Sequence, residues 1–244
     1  MTRQNPDIVR AKRNGIVDIW NAFMLVGVSY DVHDIPICPS TATDAPRHLI
    51  SWPEAKRLHN SRLRGGEKNY KREEFIHFYV DDVKFDGKKS GIWIQPWKAL
   101  EIIRHFGGII TPDYSICQDF PEPQKMGAVF RMRAFGFWAG RQGIKVINNI
   151  RWGTWETWDY CFAGIPRGSI VAVGTVASGL RSRNNRLIFE NGFKRMVEVI
   201  RPQTVLIYGS GNQTCIKEAC NAGVKVLTFE SETHMAFCGV KTNE

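Results

Sequence analysis

The hydrophobic pattern divides the chain in two. Before about residue 75 apolar residues are scattered, and prolines at Pro36, Pro39, Pro46 and Pro53 punctuate "IPICPSTATDAPRHLISWPEAKRL", which argues against long uninterrupted elements there. Only "IVDIWNAFM" has the pattern of a short helix. From Phe75 onward, short apolar β-branched runs recur: "FIHFYV", "GGIITPDYS", "IKVINNI", "SIVAVGTVA", "TVLIYGS" and "VKVLTFE". Between them lie the helical stretches "WKALEIIRHF", "KMGAVFRMRAFGFWAGRQ", "TWDYCFAGI", "NNRLIFENGFKRMVEVI" and "TCIKEACNAG". Continuous apolar strands alternating with helices of this length predict repeated β-α units and a mainly parallel sheet in an α/β fold. Gly143, Pro202 and Gly223 supply the expected helix stops. Six strands fit a partial or distorted barrel or an open doubly wound sheet. Polar residues at the end of every strand, rather than around one switch point, favour the barrel-like form. The expected organisation is an irregular extension over residues 1–74, carrying a basic loop, and an α/β domain over 75–244.

The 244 residues are 43% hydrophobic and carry a formal charge of +9, so the chain can bury one sizeable core and favours anionic partners. Its start, "MTRQNPDIVRAKRNG", is polar and lacks the apolar region of a secretory signal. No apolar run is long enough to span a bilayer, so a cytoplasmic protein without membrane association is expected. The sequence carries no sign of oligomeric state. Six scattered cysteines read as reduced thiols. Cys215, Cys220, His234 and Cys238 approach zinc-finger spacing, but a helix followed by a strand would separate the two pairs.

Ligands of parallel α/β folds bind beyond the carboxyl ends of the strands, which makes the residues at those ends the candidates. Asp81, Asp82 and Asp113 could act as acid and base or hold a divalent metal such as Mg²⁺; each also suits a helix cap or a turn. Ser115 follows Asp113 in "TPDYS", and Thr175 ends the fourth strand. In "VINNIRWGTWETWDY", Asn149 and Trp152 reach the end of the third strand. Trp155 and Trp158, one helical turn apart, could complete an aromatic rim for a base or sugar ring, or close the top of the core. "YGSGN", with Tyr208, Gly209 and Gly211, could cradle a phosphate, although it matches neither a dinucleotide fingerprint nor a Walker motif. Arg181 and Arg183 in "GLRSRNNR" could hold phosphates on the same face.

The succession of a DD-containing strand, "PDYS", "N-x-x-W", "CFAGIP", "GSIVAVGT" and "P-x-x-V-x-x-YG", spanning roughly residues 75–210, resembles the bacterial, phage and mobile-element family catalogued as domain of unknown function 4417. The resemblance implies a mobile-element protein in a bacterial cytoplasm and assigns no catalytic residue. The expectation is an enzyme acting on a nucleotide or nucleic acid through its strand-end carboxylates. A non-enzymatic nucleic-acid-binding replication accessory or counter-defence protein is the alternative; the sequence does not decide whether the protein is an enzyme. A carbohydrate-active barrel fits the acids and tryptophans, but the positive charge argues against it.

Overall fold

The computed structural model describes residues 3–4, 17–176 and 178–232. A short antiparallel ladder joins β1 (Arg3–Gln4) to β2 (Ser29–Tyr30). The main sheet has seven strands, all parallel: β3 (Leu49–Ser51), β4 (Phe75–His77), β5 (Gly108–Ile110), β6 (Val146–Asn149), β7 (Ile170–Gly174), β8 (Thr204–Tyr208) and β9 (Lys225–Phe229). Their spatial order is their chain order. Without a reversal of strand order the helices stay on one side, and the sheet curls around its bare face into a half-barrel.

The helices are α1 (Trp52–Arg64), the single turn α2 (Asp82–Phe85), α3 (Pro96–Ile103), α4 (Glu122–Arg141), the single turn α5 (Trp158–Cys161), α6 (Arg183–Ile200) and α7 (Thr214–Asn221). Alternation along the strands sorts the side chains into two cores. Ile76, Ile109, Val146, Val171, Val173, Val205 and Ile207 meet the helices. Phe75, Tyr79, Ile110, Ile147, Ala172, Leu206 and Tyr208 fill the concave side. There Tyr79 stacks on Tyr208 at 5.0 Å between ring centroids, and His77 packs against both rings. Gly174 makes room for this stack, since a Cβ on it would lie 2.6 Å from the Tyr79 ring.

The six anticipated strands form in the anticipated places, and the barrel-like form prevails over the doubly wound one because no strand crosses to the other side of its predecessor. The expectation of no long element before residue 75 is corrected. β3 is the first strand of the sheet, and α1 runs for 13 residues with Pro53 in its first turn, the position where a missing N–H breaks no helical bond. "IVDIWNAFM" yields only a 3₁₀ turn at Ala22–Leu25. In the basic stretch, Arg62 pairs with Glu67 and Arg72 with Glu74, while Lys71 keeps its charge and donates to the Arg104 carbonyl.

Residues 38–42 pass from the helical layer to the concave side between the beginnings of β6 and β7. Thr41 and Ala42 donate their N–H groups to the Val146 carbonyl, and Ser40 Oγ donates to the Ile170 carbonyl. Cys38 lies beside Gly136 of α4, whereas Ala42 belongs to the concave core. Direct pairing of β6 with β7 starts only at Asn148 and Val171.

Candidate functional site

The first three strands after β3 deliver their polar ends to one corner. Asp113, three residues past β5, is 9% exposed. Asn149 at the end of β6 donates from Nδ2 to Asp113 Oδ1 at 2.7 Å, and Arg151 donates from Nη1 to Oδ2 at 2.5 Å. Tyr79 donates its hydroxyl to Asn149 Oδ1 at 3.0 Å. One chain of contacts, Tyr79–Asn149–Asp113–Arg151, therefore joins the concave core to the rim. Its backbone is held too: Asn149 N–H donates to Thr111 Oγ1 at 2.8 Å, and Arg133 donates to the Asn149 carbonyl at 2.9 Å.

Arg133 is fully buried on α4 and donates also to the carbonyls of Cys161 and Ala163. Burial lowers its guanidinium to about 10, and backbone carbonyls, not a carboxylate, satisfy its donors. Asp82 accepts the N–H and hydroxyl of Ser115 at 3.1 and 2.9 Å and so clamps the loop carrying Asp113. Burial raises the Asp113 carboxyl from its ordinary value, with Arg151 and Asn149 opposing that rise. The charge of Asp113 in turn raises Arg151. Desolvation thus outweighs the ion pair in setting the direction of the Asp113 shift.

A cavity of about 190 Å³ opens against this pair. Asp113 and Arg151 supply its charged wall, and Trp152, Ile188 and Phe189 an apolar one. Ser178 from the loop before α6, Asn185 from its first turn, and Cys117 and Gln118 complete the lining. Trp152 packs on Phe189 at 5.3 Å and donates Nε1 to the Ile188 carbonyl at 3.3 Å. The indole lies so close to α6 that a Cβ on Gly192 would come within 2.1 Å of Nε1.

The family model "Domain of unknown function (DUF4417)" matches residues 29–230, which is most of the chain and takes in every element of this corner. The chain belongs to this family. Two mycobacteriophage relatives, both called "Gene 1 protein", are 30% identical to this DUF4417 chain. The protein from phage L5 aligns over 165 residues, covering 67% of the chain and 66% of the relative; that from phage D29 aligns over 196 residues, covering 80% and 67%. The chain thus spans about two thirds of the length of these relatives. No solved structure matches it. The resemblance noted in the sequence is thereby established, and it reaches back to residue 29, taking in β3 and α1.

Within this DUF4417 fold the anticipated residues separate. Asp113, Asn149, Trp152, Ser115 and Asp82 gather at or beside the cavity; Asn149 is fully buried and holds Asp113 from behind. Asp81 is exposed and pairs with Lys84 at 3.2 Å. Among the described residues, no three His, Cys, Asp or Glu side chains converge as a metal-binding group. Thr175 donates both N–H and Oγ1 to the Tyr208 carbonyl, and Tyr208 is packed against His77 and Tyr79. The Gly209 N–H is taken by the Phe229 carbonyl, and Gly211 lies against Thr228. These four residues serve the sheet and do not line the cavity.

Arg181 and Arg183 are exposed, between cavity residues Ser178 and Asn185. Trp155 is 70% exposed, whereas Trp158 packs inward on Phe162, so the two do not form a common rim. Of the zinc-like quartet, Cys215 is buried and Cys220 exposed on α7; His234 and Cys238 lie outside the described residues. Sequence reasoning missed Tyr79, Arg151, Asn185 and Phe189. Arg151 was visible two residues beyond Asn149, on the same side of an extended chain; α6 gave no sign that its first turns face a cavity. Among the described residues, no helix is long and apolar enough to cross a membrane.

Proposed function

We propose that this DUF4417 chain is an enzyme that binds one nucleotide unit in the cavity at the carboxyl ends of β5 to β7, with Asp113 as its acid-base group. The observation that carries the reading is the buried Asp113 carboxylate, paired with the partly exposed Arg151, at a cavity that Trp152 and Phe189 also line. A nucleobase presents both donors and acceptors on its edge and a flat apolar face. The carboxylate and guanidinium suit the edge, and Trp152 with Phe189 suits the face. The cavity is smaller than the ~300 Å³ usual for a drug-sized ligand, so it accommodates a ring and leaves the sugar phosphate outside. There Arg181 and Arg183 stand, with no ion-pair partner among the described residues. A carboxyl that faces the cavity is placed to exchange a proton with a bound ring. A divalent ion such as Mg²⁺ enters this reading with the substrate phosphates, keeping several of its own waters.

The test is thermal stability of the full chain against a panel of mononucleotides with and without Mg²⁺. A ligand of the folded state raises the midpoint by linkage. The midpoint should rise with at least one nucleotide, and the rise should be absent in Asp113→Asn and after alkylation of Cys117, an exposed thiol on the cavity wall, in a Cys220→Ser background that removes the exposed thiol of α7. Alkylation leaves the Asp113 pair intact, so it separates blocked binding from damaged folding. No midpoint rise with any nucleotide overturns the reading. The second reading, a nucleic-acid-binding protein without catalysis, is favoured by the occupation of both Asp113 oxygens by protein donors; under it Asp113→Asn would retain binding.

A further inference from the structure

The surroundings of the cavity extend it on two sides. On one, the cavity wall of Ile150, Arg151, Trp152 and Gly153 runs directly into Trp155. This indole is 70% exposed and makes no ring contact among the described residues, an unusual situation for the largest apolar side chain. Its support is firm. Thr157 is fully buried; its Oγ1 accepts from Gly153 N–H at 2.9 Å and donates to the Thr154 carbonyl at 2.8 Å. That fixes the 3₁₀ turn Trp155–Thr157 against the cavity wall. Glu156 and Asp159, which follow the indole in the chain, are both exposed and negative, while the cations on this side, Arg151 and Lys125, pair with Asp113 and Glu122; the indole face is left for a base.

On the other side lies the segment between Ser178 and Asn185. Arg181 and Arg183 are exposed there, and Arg186 folds back to donate to the Leu180 carbonyl. The exposed charges thus differ between the two flanks, acidic next to Trp155 and basic at the start of α6. A free mononucleotide would use the cavity and one side of its mouth, leaving the exposed indole without a role. A polynucleotide single strand uses all three: one ring sunk in the cavity, the adjacent base stacked on Trp155, and the phosphate on the other side of the sunken ring over Arg181 and Arg183. A paired base cannot enter, because the ring must leave its stack to reach Asp113.

Resting on the nucleotide reading of the cavity, we propose that the substrate is single-stranded nucleic acid, bound across the cavity mouth with one base inserted beside Asp113 and Arg151 and its neighbour on Trp155.

The experiment is fluorescence anisotropy of the full chain with a labelled eight-nucleotide DNA strand, the RNA of the same sequence and the corresponding DNA duplex, together with competition by mononucleotides. At least one single strand should bind ten times or more tighter than the best mononucleotide and tighter than the duplex. Its affinity should fall with salt, as expected when phosphates are neutralised. Trp155→Ala should lower the ratio of oligonucleotide to mononucleotide affinity about fivefold or more, the contribution expected of one stacked base. Replacing Arg181 and Arg183 together by Gln should flatten the salt dependence by about one to two phosphate contacts. Mononucleotides binding as tightly as the strands, duplex binding tightest, or a ratio unmoved by Trp155→Ala would each overturn the inference and leave the cavity reading standing. Binding of neither strands nor mononucleotides would overturn both.

Discussion

Replacing Gly192 by Ala should damage the site from behind. In a helix interior this change is ordinarily stabilising by about 1 kcal/mol, because alanine has the higher helix propensity. Here the new Cβ would lie 2.1 Å from Trp152 Nε1, well over 1 Å inside the ~3.5 Å of an optimal contact. The indole is hemmed by Phe162, Phe189 and Phe193, so its free direction is away from α6, into the cavity that it lines. That motion breaks the bond from Nε1 to the Ile188 carbonyl, about 1 kcal/mol, and adds overpacking of about 1–3 kcal/mol. Set against the propensity gain, the net loss is about 1–3 kcal/mol. For a chain of this size each kcal/mol moves the midpoint by about 2–4 °C, which calorimetry resolves. Trp152→Phe alone should also destabilise. The double variant should recover part of the loss, with a coupling of at least about 0.5 kcal/mol. Gly192→Ala as stable as the wild type, or exact additivity with Trp152→Phe, would refute the packing argument.

Three further outcomes follow from buried groups. Burial depresses His77 to about 3, so the unfolded chain binds this proton where the folded chain does not. The stabilisation is complete above about pH 6.5 and is lost as pH falls toward 3, on the order of 4–5 kcal/mol in total; His77→Phe should flatten that acid limb in urea titrations, and an unchanged limb would contradict it. Burial pushes the thiols of Cys38, Cys161 and Cys215 up to about 12, so at pH 8 mass spectrometry should find native Cys117 and Cys220 alkylated well before these three. Arg133→Met should cost about 3 kcal/mol or more, because it strands the carbonyls of Asn149, Cys161 and Ala163; thermal unfolding reads the loss, and a midpoint within about 2 °C of wild type would contradict it.

The repeated unit was legible because strands buried on both faces leave long apolar runs, as in "SIVAVGTVA" and "TVLIYGS". β3 was not, since it has three residues and lies among prolines that the structure places in loops and at a helix start. Asp113 and Trp152 could be placed by position alone, at strand ends that must share one face. The fate of Tyr208 and Gly209 could not, because β9 takes the Gly209 amide, and a pairing between distant strands leaves no local mark. Arg133 was equally hidden: it sits two residues from Arg131, which forms a half-exposed pair with Asp86 at 2.7 Å. Only the packing of α4 on the sheet distinguishes the two arginines.

The most direct measurement is a crystal structure of the full chain grown with the mononucleotide that most raises its thermal midpoint. The account predicts the base against Trp152 and Phe189, its polar edge within hydrogen-bond distance of Asp113 or Arg151, and its phosphate toward Arg181 and Arg183. A nucleotide bound at another surface, with this cavity filled by ordered water alone, would contradict it.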